Sequence, residues 1–178
     1  MKKLFAVLVL LQLSLLRGQT PKQPPTTIKG VLLEQLRTTH NQKGLFVPVS
    51  VALEGLTPEQ ASWKDKSGNH SIGQLANHLA FWNAQELTKF KGEKPAAFSG
   101  NNEETFNSFD SKSWNATVQK LDSVLTEWEK AVEGADESKL KSWYSVIAHI
   151  GTHNAYHTGQ IIYIRRLQGS WDAAKGVK

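Results

Sequence analysis

Apolar side chains recurring at steps of three and four, capping sequences ahead of those runs, and no stretch of alternating polar and apolar residues predict an all-α fold. The four long helical stretches that result make a bundle. With 178 residues and no internal repeat, the chain suits one domain large enough to bury a core.

From Ile28 to about Leu56 the pattern is helical, carried by Val31, Leu32, Leu36, Phe46, Val49, Leu53 and Leu56, and Gly44 and Pro48 are expected to break it. Thr57-Pro58-Glu59-Gln60 opens a helix of a turn or two, with threonine as cap and proline at the first helical position. Ser71, three residues before Gln74, opens a second long helix that buries Leu75, Leu79 and Trp82 and ends near Gly92. Residues 93–112 show no periodicity and read as a long loop, a lid or a disordered stretch, with Phe98, Phe106 and Phe109 favouring partial order. Ser113 is placed to cap the third helix, in which Trp114, Val118, Leu121, Leu125, Trp128 and Val132 trace one seam as far as Gly134. The fourth runs from about Ser142 to Gln168, with Arg165 and Arg166 in its last turn and Gly169 as its stop.

Residues 4–16 are the one long apolar run, flanked by Lys2-Lys3 and Arg17, in the order and length of a secretory signal and short of the roughly 20 residues that span a bilayer. A retained N-terminal anchor is the competing reading, because the residues before the cut form no clean small-x-small site. Residues 1–20 are therefore expected to be a signal peptide, 21–26 a proline-rich extended spacer, 27–170 the bundle and 171–178 a C-terminal tail. The mature protein is expected to be periplasmic or secreted, without stable membrane insertion. Its lack of cysteine excludes disulfides, thiol nucleophiles and thiolate ligands. Removing Lys2, Lys3 and Arg17 takes 21 basic residues to 18 against 16 acidic, a charge of +2, which gives no footprint for nucleic acid.

The last helix carries a chemical anomaly. Ile150, His153, His157, Ile161 and Ile164 step by three and four, so two imidazoles four residues apart occupy a stripe that is otherwise apolar. His78 stands in the same position on the second helix, between Leu75 and Trp82. Three inward histidines from two helices predict a divalent-metal cage, and a three-nitrogen set suits zinc, nickel, copper or iron with one position left open, as catalytic sites have. A lone core histidine is more often a hydrogen-bonded packing residue; the convergence of three argues otherwise. His149, one turn before His153, is able to replace it, support it or face solvent, and is read as a supporting residue. Gln160 is placed to hydrogen-bond a ligand imidazole, and Glu86, two turns beyond His78, is the best carboxylate for a general base, although a solvated helix glutamate is the commoner case.

His153-Asn154-Ala155-Tyr156-His157-Thr158-Gly159-Gln160, running into Arg165-Arg166-Leu167-Gln168-Gly169, resembles the last-helix signature of DinB-like proteins. Leu56-Thr57-Pro58-Glu59-Gln60-Ala61, His70-Ser71-Ile72 and His78-Leu79-Ala80-Phe81-Trp82 are similar to earlier parts of that family in the same order, so the resemblance spans residues 27–169. It implies an antiparallel four-helix bundle with a long crossover, often a homodimer, whose zinc or nickel is held by His78, His153 and His157. It also implies a metal-dependent hydrolase or a thiol S-transferase acting on a small molecule. Asn154 stands where many relatives carry a carboxylate, and export removes the protein from cytoplasmic thiols, which weakens the transferase reading. A non-catalytic periplasmic protein that binds metal or a small ligand is the alternative.

Overall fold

The computed structural model describes residues 23–177, and these form seven α-helices and two short 3₁₀ turns without a strand. The expected signal segment lies outside the described residues. The helices are α1 (Ile28–His40), α2 (Val49–Leu53), α3 (Pro58–Ser62), α4 (Ile72–Lys91), α5 (Glu104–Asn107), α6 (Trp114–Gly134) and α7 (Glu137–Leu167). Of these, α1, α4, α6 and α7 make the four-helix bundle, with α1 and α4 each lying against both α6 and α7. No helix among the described residues is long and apolar enough to cross a membrane.

The helix starts follow their capping chemistry. Thr57 and Ser71 each accept a hydrogen bond from the backbone N–H of a glutamine three residues on, and that glutamine's side chain accepts from the cap's own N–H. Gly92 ends α4 in the left-handed region, at φ 82°. Pro48 precedes α2, so the first helical pattern breaks into two helices, as Gly44 and Pro48 require.

Three expectations are corrected. The fourth helix starts at Glu137, where the Asp136 side chain accepts from the Lys139 N–H at 2.8 Å, and a polar first turn had concealed that start ahead of the buried Leu140. Ser113 makes no cap with its side chain: its hydroxyl donates to the Asp110 carbonyl, and α6 is entered through a 3₁₀ turn that Asp110 caps. The 93–112 segment is not loop throughout, since it contains α5. Glycine admits close approaches at Gly151, where an added Cβ would stand 2.6 Å from the Gln35 side chain, and at Gly73, beneath the Phe109 ring.

Packing between α4 and α7 runs antiparallel. Asn83 Nδ2 donates to Asn154 Oδ1 at 2.8 Å, and Phe90, two turns further along α4, meets Trp143, three turns earlier on α7, at 5.2 Å between ring centres. Behind this pair, Trp128 of α6 is fully buried and donates its indole N–H to the Asn83 carbonyl at 3.0 Å.

Arg165 closes the far end of α7. It is 4% exposed and donates through Nη1 to the carbonyls of Ala52 (2.7 Å) and Glu54 (3.0 Å), and through Nη2 to that of Ser170 (2.8 Å). The stretch read as a tail is accordingly docked, with Trp171 against the Arg165 guanidinium at 5.4 Å and Lys175 paired to Glu54 at 2.8 Å. Arg165→Met leaves three carbonyls without their donor and is expected to lower unfolding free energy by about 2–4 kcal/mol. Urea denaturation with an unchanged slope would measure it.

Candidate metal centre

α4 delivers His78 to the interior, and α7 delivers His153 and His157 one turn apart. One nitrogen from each ring lies within 4.8 Å of one from each of the others. The Nε2 atoms of His78 and His153 are 3.1 Å apart. Imidazole nitrogens sharing a tetrahedral ion at its usual bond length of about 2.0–2.1 Å stand about 3.3 Å from each other. The observed spacing is therefore close to that of a shared ion.

The outward-facing nitrogens decide which atoms point in. His78 Nδ1 lies 2.6 Å from the Thr105 hydroxyl, whose own proton goes to the Asn102 carbonyl at 2.7 Å. That hydroxyl can only accept from the ring, so His78 carries its proton on Nδ1 and presents an Nε2 lone pair to the centre. His157 Nδ1 donates to Gln160 Oε1 at 2.6 Å, with the same consequence. Phe106, beside Thr105 on α5, is sandwiched between His70 (3.8 Å, 4°) and His78 (3.9 Å, 6°). The plane of the His78 ring is thus held by stacking as well as by a hydrogen bond.

Electrostatics keep these rings neutral. Burial, reinforced by His157, His153 and His70, pushes His78 down to about 3. Burial and then His157 bring His153 to about 4, and burial lowers His157 against the opposing hydrogen bond to Gln160. Neutral imidazole is the form that ligates metal. Convergent nitrogens, two fixed tautomers and neutral rings suit a divalent ion.

One side of the cluster opens into a cavity of about 630 Å³ between α4 and α7, roofed by Asn102 and Phe106. Trp82, whose place on the α4 stripe suits either core or pocket wall, is half-buried and forms a wall of this cavity. Glu86 also lines it, with its carboxylate 2.6 Å from Lys89 Nζ. His149 is corrected from supporting residue to cavity rim: it is exposed and stands outside the cluster.

Thr105, Phe106, Asn102 and His70 were not expected at the site. The three on the 93–112 segment fall where no periodicity assigns a facing direction. The phenylalanines there were the only visible sign of order.

The chain matches the family model of the DinB superfamily over residues 49–161, more than half its length, and belongs to that superfamily. No curated protein and no solved structure was found to match it. The family match includes all three clustered histidines together with Thr105 and Gln160.

A histidine whose folded pKa lies below its unfolded value of about 6.5 takes up its proton first in the unfolded chain. Its contribution to stability is whole above about pH 6.5 and is lost as pH falls toward the folded values, about 3 for His78 and about 4 for His153. Metal-free protein is expected to lose urea resistance between about pH 7 and about pH 5, more steeply than a His78→Phe variant. Parallel profiles for the two proteins would contradict neutral burial of His78.

Proposed function

We propose that this DinB-superfamily protein is an exported metal-dependent enzyme acting on a small molecule, with zinc or nickel held by His78, His153 and His157. The observation that carries the reading is the inward convergence of three imidazole nitrogens, two with fixed tautomers, in the wall of a cavity. When bound there, a divalent ion supplies Lewis acidity that makes a water or thiol nucleophilic near neutral pH. Thr105 and Gln160 hold the rings of His78 and His157, and Phe106 keeps water from the face of His78. Glu86, the one carboxylate lining the cavity among the described residues, is the candidate to accept a proton. Hydrolysis fits an exported protein better than thiol transfer, because it needs only water. Export itself rests on the Lys2-Lys3 and residue 4–16 pattern.

The second reading is non-catalytic sequestration of a metal or small ligand. It is favoured by Glu86 being already engaged by Lys89, which leaves the cavity without an unpaired carboxylate.

Elemental analysis of tag-free protein is expected to find one zinc or nickel per chain in wild type and His149→Ala, and none in His78→Ala, His153→Ala or His157→Ala. Metal retained by those three would reject the centre. Thr105→Val is expected to weaken metal affinity by about 10–100-fold, while Thr105→Ser, which keeps the acceptor, stays near wild type. Fractionation of the producing cells tests export, which predicts a chain shortened at its N-terminus and found outside the cytoplasm.

A further inference from the structure

We infer that the molecule taken up at the trihistidine centre is elongated, with an uncharged, apolar aryl or short alkyl body that lies between Trp82 and Ile150. The inference rests on the reading of that centre as a metal site and adds the class of its substrate.

The shape follows from the antiparallel register. Outward from the centre, α4 presents His78, then Trp82, then Glu86, while α7 presents His153, then Ile150, then Val146. Each step is about one helical turn, so the groove extends about 11 Å from the imidazoles. Its volume of about 630 Å³ is that of a small-molecule site.

The first step outward is preformed and apolar. The Trp82 indole donates to Asn102 Oδ1 at 3.1 Å and is met edge-on by the rings of Phe81 at 5.3 Å and Phe98 at 5.4 Å. Held on those sides, the indole stays half-buried as a fixed wall facing Ile150. An apolar body placed there gains burial without first ordering the site.

Charge on that body is excluded by what the walls lack. Among the described residues no lysine or arginine lines the cavity, so a carboxylate or phosphate lying along it, away from the ion, would give up water without gaining a neighbouring counter-charge. A cation fares little better, because Glu86, the one lining carboxylate among the described residues, is held by Lys89. Neutral esters, amides and alkyl electrophiles satisfy both conditions.

The test uses full-length, zinc-loaded protein and three hydroxamates that share a metal-binding head: acetohydroxamate, benzohydroxamate and the carboxylate-tailed succinate monohydroxamate, titrated by calorimetry. Benzohydroxamate is expected to bind about tenfold or more tightly than acetohydroxamate, and the carboxylate-tailed probe no more tightly than acetohydroxamate. Trp82→Ala is expected to shrink the benzohydroxamate advantage. Val146→Lys, at the solvent end where a long side chain keeps its charge in water, is expected to favour the carboxylate tail. Equal affinity for the aryl and carboxylate tails in wild type would overturn the inference and leave the metal centre standing; this comparison needs no variant to fold. Failure of the protein to hold zinc, or of every hydroxamate to bind in a zinc-dependent way, would overturn the centre itself and the inference with it.

Discussion

Everything at the histidine cluster depends on placing three largely buried imidazoles side by side with no carboxylate among them. Charging any one of them there is costly, both from loss of water and from its neighbours. The rings are therefore neutral, and a neutral imidazole has one donor and one acceptor nitrogen to satisfy. Where the donors of His78 and His157 find partners outside the cluster, in Thr105 and Gln160, their acceptors are left facing inward. Two inward lone pairs, with His153 Nε2 only 3.1 Å from that of His78, make a place that a shared cation fits.

That demand explains why so polar a connection as 93–112 is ordered. Asn77 of α4 donates to the Thr105 carbonyl at 2.7 Å and to the Ser108 hydroxyl at 2.8 Å, and Gln85 donates to the Ala96 carbonyl at 3.1 Å. The glycine at 73 admits the Phe109 ring against α4. These ties are made by amides and by a missing side chain, and they place Thr105 and Phe106 over His78 from a helix of one turn. So short a helix has no independent stability; it persists because α4 supplies its contacts.

The same distinction sets what was legible from residues alone. Periodicity carries direction, so the bundle could be read from apolar stripes, and so could the inward facing of His78, His153 and His157. His149 is four residues from His153 but off the stripe that Ile150, His153 and His157 define, and the structure turns it outward. Trp82 lies on the stripe of α4 yet borders the cavity, because a stripe marks a face and not what fills the space opposite. Thr105, Phe106 and His70 act through tertiary contacts between segments without a period, which a pattern along the chain does not encode. The start of α7 was missed for a different reason: its first turn is polar, and only its cap, Asp136, marks it.

A centre built from two helices also needs those helices in one register. Apolar stripes alone specify it loosely, since leucines and isoleucines one turn apart are nearly interchangeable as packing partners. Asn83 and Asn154 are not. Both are buried, and each amide finds its partner in the other, at 2.8 Å for Asn83 Nδ2 to Asn154 Oδ1. A slip of one turn, about 5.4 Å, would leave the Asn154 amide buried without its partner and Asn83 with only the Leu79 carbonyl of its own helix, at 2.9 Å, which costs more than repacking an aliphatic contact. Asn154 adjoins His153 and Asn83 adjoins Trp82, so this one lock sets the level at which the histidines meet and the level at which the cavity wall begins. A neutral pair does this without adding charge beside the imidazoles. A carboxylate at 154 would face Asn83 as a buried anion and would leave the Asn83 side-chain oxygen without the Asn154 amide that donates to it at 3.4 Å.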